Sequence, residues 1–162
     1  MKKLTKREVR YVILQFWQLN ASRAPIKAFE EIVDCENLEI IMRASPDIQF
    51  NGIAGLADHQ IGKLTFFDQR FELKSIDTKI TQDGRAISKT NGVWYASYWQ
   101  SPAAESHRLI ADLKHTWTVV RHESSGKPVL LRHVCDKLTY RRGHAPIEAP
   151  KDFHLTIGRS GK

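Results

Sequence analysis

Cysteine is scarce in this chain of 162 residues: there are two, Cys35 and Cys135, far apart and in no CxxC arrangement. That spacing argues against a disulfide framework, and it leaves two buried free thiols as the reading. Long apolar runs are also missing, since none approaches the roughly 20 residues that a membrane helix needs. The start, Met1 to Glu8, is basic like the head of a signal peptide. Arg10, Gln15 and Gln18 interrupt the next segment, so Val9–Leu19 reads as an amphipathic helix and not a leader core. A cytoplasmic protein with no membrane partner is expected. Internal repeats and low-complexity segments are absent too.

The net charge of +7 has no concentrated face. Residues 1–10 hold five basic groups against one acid, residues 121–162 hold nine against four, and the middle holds eleven against thirteen. The excess therefore sits at the two ends, without stacking aromatics between the cations, and nucleic acid is not expected as a partner. With 41% hydrophobic and 27% charged residues, the composition suits one domain with a core of useful size.

Thr5-Lys6-Arg7-Glu8 is a capping box, and Val9, Val12, Ile13, Phe16 and Leu19 follow it as one helical stripe flanked by Tyr11 and Trp17. Pro25 suits the first turn of a second helix whose buried side is Ile26, Phe29, Ile32 and Val33. Leu38–Met42 and Asp47–Phe50 read as short strands, and Leu56–Phe67 as a third helix introduced by Asn51-Gly52 and Gly55. The rest reads as sheet: Phe71–Ile80, an Asp83-Gly84 hairpin turn, Ala86–Trp99, His107–Arg121 and Val129–Tyr140. Antiparallel strands this long must twist and bend around a core. Residues 143–162, with Phe153–Ile157 as a short strand or partner contact, read as an extended tail to a single domain at 1–142.

Several segments resemble the NTF2-like (SnoaL-like) superfamily, an α+β cone with three helices from the N-terminal half packed on a strongly curved antiparallel sheet. They are Phe50-Asn-Gly-Ile-Ala-Gly-Leu56, Phe67-Asp-Gln-Arg-Phe-Glu-Leu73, Asp83-Gly-Arg-Ala-Ile-Ser88, and the closing pair Trp117–Arg121 with Gly126–Arg132. The resemblance implies a pocket protein, since the superfamily holds isomerases, dehydratases, cyclases and non-catalytic modules. A carboxylate base of the steroid-isomerase kind would fall near Phe50-Asn51 and its acid near Thr116–Thr118, and neither position carries a carboxylate. The epoxide-hydrolase cluster of one arginine and two aspartates is also missing.

Alternation along the closing strands suggests other candidates. A five-residue loop, Glu123 to Lys127, pairs Val119 with Leu131, Trp117 with His133 and His115 with Cys135, and opposed residues share a face. Leu109, Ala111, Leu113, His115, Trp117, Val119, Leu131, His133 and Cys135 then form the concave face. Leu130, Val134 and Leu138 fall on a mixed convex face that suits a homodimer. Two histidines in apolar company suit proton transfer, or else each is a core histidine capped by backbone. His133 is the expected base and His115 its partner. The third candidate is His59 on the third helix, although its first reading is a surface residue.

Tyr11, Trp17, Phe50, Trp94, Tyr98, Leu113, Trp117, Leu131 and Cys135 are the expected pocket wall for a small apolar ligand. His115, His133 and Cys135 lack the tight spacing or fourth ligand of a zinc site, so no metal and no cofactor is expected. Two readings stand: a cofactor-independent lyase, isomerase or cyclase, and a non-catalytic ligand-binding or assembly module such as a structural small subunit.

Overall fold

The Thr5 hydroxyl accepts the Glu8 amide at 3.2 Å, and the Glu8 carboxylate accepts the Thr5 amide at 2.9 Å. This reciprocal cap starts α1, Lys6–Ala21. The structure, a computed structural model, describes residues 2–147. The last fifteen residues, with the expected Phe153–Ile157 strand, lie outside the described residues. Val9, Val12, Ile13 and Phe16 are buried along α1 as the stripe predicts, and Trp17 and Asn20 are buried with them.

The expected second helix is a single turn, α2 (Ile26–Phe29), after which Val33 makes a parallel bridge to Leu130. Two short strands come next, β1 (Glu39–Met42) and β2 (Ile48–Asn51). They lead into α3, Gly52–Gly62, which begins four residues before the expected start. Gly52 makes that early start possible: its φ of +66° is open to glycine without strain, and its amide donates to the Leu38 carbonyl at 2.7 Å. α3 runs into a 3-10 turn at Lys63–Thr65.

Four long strands complete the chain: β3 (Phe66–Ile80), β4 (Ala86–Tyr98), β5 (His107–Arg121) and β6 (Pro128–Tyr140). The sheet order is β2-β1-β6-β5-β4-β3. All pairs are antiparallel except β1 with β6, so the sheet is mixed and not wholly antiparallel as expected. The helices pack on its concave side.

Two β-bulges correct the expected faces of β6. Trp117 pairs with His133 and His115 with Cys135, as the loop length predicts. Val119, however, pairs with Leu130, and Lys114 with Lys137, so Leu131 and Asp136 are the extra residues. Each bulge resets the alternation. Leu130 is therefore fully buried in the core, Leu138 faces inward opposite Leu113, and Leu131 is only half-buried.

The core forms two clusters. One gathers Phe16, Phe29, Trp117, Val119 and Leu130 under the helices. The other gathers Phe66, Trp94, Tyr98, Leu109 and Leu113 toward the open end of the sheet.

Candidate functional site

Between the two clusters lies a partly open cavity of about 40 Å³, with Phe16 and Trp17 on one wall and Trp94, Leu113 and Leu138 on the other. A buried water needs roughly 10–15 Å³ by the same measure, so this space holds about three or four water-sized groups. The cavity floor comes from β5 and β6. His115 and His133 stand on these paired strands with ring centroids 4.6 Å apart, and both are at least nine-tenths buried. His59 enters from α3, in the same cavity, with its ring 5.2 Å from that of Phe50. Its burial corrects the surface reading: Leu56, His59 and Lys63 follow one another at helical spacing on the inward side.

Polar bonding around these rings is sparse. Among the described residues, His115 Nδ1 and both ring nitrogens of His133 have no hydrogen-bond partner, nor does Trp17 Nε1. The backbone caps that would mark His133 as a satisfied core histidine are therefore missing. Trp117 stacks on His133 at 4.1 Å and its Nε1 donates to Thr90 Oγ1 at 2.8 Å. Trp117 thus lies behind the imidazole and holds it in place; it is not part of the cavity wall.

Lys63 is the feature that sequence reasoning missed. Only 7% exposed, it lines the cavity with its ammonium 5.2 Å from the Phe71 ring centre and 6.0 Å from that of Trp94. Its polar contact is Asn20 Oδ1 at 3.5 Å, and among the described residues it enters no ion pair. Asn20 is held in turn by the Phe16 carbonyl and by Gln60, each at 2.7 Å. Arg23 donates to the carbonyls of Leu64 and Phe66, which pins the turn carrying Lys63 against the end of α1.

Burial governs the proton affinities here. Desolvation, with the Lys63 charge nearby, pushes the His59 and His115 imidazoles down to about 3. His133 is driven well below its ordinary value by burial first, and then by the repulsion it would meet from His115, His59 and Lys63 in their protonated forms. All three rings are neutral at pH 7. Burial lowers Lys63 to about 8, and it raises the Cys135 thiol, aided by the Asp136 charge, to about 12. Cys135 therefore lines the cavity as a thiol and not as a thiolate nucleophile.

Of the expected wall, Trp17, Trp94, Leu113 and Cys135 line the cavity. Tyr11 does not, because it sits on the outer side of α1 at 58% exposure. Phe50 packs behind His59, Tyr98 is buried in the second cluster with its hydroxyl accepting the Ile147 amide, and the bulge removes Leu131. Phe71, Asn20, Met42 and Leu138 were not anticipated. No group of three or more His, Cys, Asp and Glu side chains among the described residues has the geometry to hold a metal ion.

The same arrangement of helices and sheet occurs in solved structures. Nuclear transport factor 2 from Cryptosporidium parvum superposes with a TM-score of 0.58 at 12% identity, over 82% of this chain and 90% of that one. This chain has the NTF2-like fold. A candidate scytalone dehydratase from Novosphingobium aromaticivorans is also similar, with a TM-score of 0.65 at 17% identity over 90% of this chain and 94% of that one. So is a hexachlorocyclohexane dehydrochlorinase from Novosphingobium barchaimii, with a TM-score of 0.68 at 8% identity over 89% and 94%. At such identities the likeness establishes the NTF2-like fold and no residue's role. No protein-family model matches the sequence, and neither does any curated protein. No helix among the described residues of this NTF2-like domain is long and apolar enough to cross a membrane.

Proposed function

We propose that the chain binds a small, mostly apolar molecule in the cavity and moves a proton on it without a cofactor, as a lyase, isomerase or cyclase. The carrying observation is the pair of buried imidazoles, His115 and His133, 4.6 Å apart with three unpartnered nitrogens on one cavity. His133 is the base and His115 its relay partner. A neutral imidazole accepts a proton directly, but one held this far below its ordinary value is a weak base. The imidazolium it forms must be matched by negative charge developing on the substrate, and Trp117, stacked on His133, adds cation–π stabilisation. That two proteins of the same fold carry the names of a candidate dehydratase and a dehydrochlorinase supports the reading.

The test is deuterium exchange at carbon. Small aldehydes and ketones with a C–H next to the carbonyl are incubated with protein in D2O and followed by proton NMR. Wild-type protein should exchange that hydrogen, and His133→Gln should lose about 100-fold or more of the rate. Equal rates for the two proteins would remove His133 as the base.

The cavity volume favours a second reading. About 40 Å³ is well below the roughly 300–1,000 Å³ of sites for larger ligands, which suits a binding or assembly module. Exchange no faster than in buffer, with a ligand retained in native mass spectrometry, would support that module. The convex face, which presents Ile87, Lys89, Thr116 and Arg132, is the surface through which we propose two copies associate. Sedimentation equilibrium should give a dimer mass; a monomer at high micromolar concentration would count against it.

A further inference from the structure

Lys63 presents a physical anomaly: a primary amine set among aromatic rings and neutral imidazoles, with one long contact to an amide oxygen and no carboxylate. Buried charges are normally paired, because an unpaired ammonium forfeits its hydration. One resolution is that the group works as the free amine. We propose that Lys63 is a covalent nucleophile that forms an imine with a small aldehyde or ketone in this cavity. The inference rests on the cavity as a small-molecule site and specifies what that molecule carries.

The surroundings supply what imine chemistry needs. Lowered to about 8, the amine is in part unprotonated near neutral pH, as amine nucleophiles in apolar pockets are. Lys63 also borders an outer groove of about 280 Å³ walled by Pro25, Ile26, Ala57, Ile61 and Leu64, which gives a carbonyl compound an approach from solvent. Asn20 and Gln60 line that groove as well, and their hydrogen bond stands beside the amine.

The steps balance without an oxidant or reductant. The Lys63 Nζ lone pair attacks the carbonyl carbon; an N–C bond forms, the C=O π pair moves to oxygen, and oxygen takes a proton as nitrogen gives one up. Protonation of the resulting hydroxyl breaks the C–O bond and releases water, while the nitrogen lone pair forms C=N. The iminium then draws electrons from the adjacent carbon. His133 removes the proton there to leave an enamine, and reprotonation followed by addition of water returns the amine and the carbonyl product. This supplies the electron acceptor that weak imidazole bases require.

The experiment is reductive trapping. Protein is incubated with propionaldehyde and sodium cyanoborohydride, which converts an iminium to a stable alkylamine, and peptides are mapped by tandem mass spectrometry. The expected result is one alkyl group on Lys63, formed about tenfold faster than on any surface lysine. Lys63→Met and Lys63→Arg, checked for folding by circular dichroism, should lose that adduct and reduce deuterium exchange at carbon about 100-fold. Alkylation scattered over surface lysines with Lys63 unmodified would overturn the imine. So would exchange that persists in both variants, an outcome that leaves His133 as base intact. Conversely, a Lys63 adduct in His133→Gln with exchange unimpaired would uphold the imine and remove His133.

Discussion

Among single residues, Lys63 departs furthest from ordinary burial chemistry. Its amine loses protons at about 8 in the folded chain and at 10.5 when exposed, so below pH 8 folding must bury a charge. Lys63 therefore makes stability rise with pH from about 8 to about 9, where only the unfolded chain holds its proton. Above about 9 the unfolded chain ionises the Cys135 thiol that the folded chain keeps protonated, and the rise is offset. Lys63→Met keeps an unbranched side chain one atom shorter and removes the charge. Urea unfolding at pH 7 should show the variant more stable by roughly 3 kcal/mol, at about 1.4 kcal/mol per pH unit, and the wild-type rise above pH 8 should vanish. A variant less stable at pH 7 would mean that the ammonium is well solvated. Both missed polar residues lie on readable stripes: Lys63 continues Leu56 and His59, and Asn20 continues Val9, Ile13 and Phe16. Each stands where a helix ends. There a lysine ordinarily bends its ammonium out to water, and spacing alone does not reveal the 3-10 turn that holds this one inside.

Within elements, alternation was informative wherever strand pairing runs unbroken and misleading across a bulge. His115, Trp117, His133 and Cys135 lie on the uninterrupted stretch of β5 and β6, which is why their shared face can be read from loop length alone. Leu131 is itself the extra residue of one bulge and Leu138 lies past the other, and nothing in the side chains signals either insertion. The capping box was legible for a related reason, being a local interaction between residues three apart. Gly92 shows what a strand position without a side chain allows. A methyl group there would meet the Glu72 carbonyl oxygen at 2.8 Å and the Trp17 ring at 3.0 Å. The glycine thus lets α1 bring Trp17 against β4 and form one wall of the cavity. Gly92→Ala should destabilise the fold by roughly 1–3 kcal/mol and alter the near-ultraviolet circular dichroism of the tryptophans, both measurable in one urea titration. Unchanged spectra and midpoint would show that Trp17 is not held by that contact.

For the molecule as a whole, the three buried imidazoles tie stability to pH. His59 and His115 titrate near 3 in the folded state, His133 is also far depressed, and an exposed imidazole titrates near 6.5. Above 6.5 both folded and unfolded chains carry them neutral, and their full contribution to stability is present. As pH falls below 6.5, only the unfolded chain takes up the protons, so stability declines through the whole interval toward 3. Carboxylates held low by partners add a separate loss at more acid pH. Glu8 is one: burial alone would raise it, but the Thr5 amide and hydroxyl and Arg121 outweigh that. Its ordinary value of 4.5 puts the range from about 5 to 6.5 under histidine control. Unfolding free energies from urea titrations should there fall with a slope that approaches three protons taken up near pH 5, about 1.4 kcal/mol per pH unit for each. His115→Gln should lower the uptake by one. A flat profile from pH 5 to 6.5 would mean that the imidazoles reach water in the folded chain, and the desolvation of these rings on which the proposed chemistry depends would then have to be abandoned.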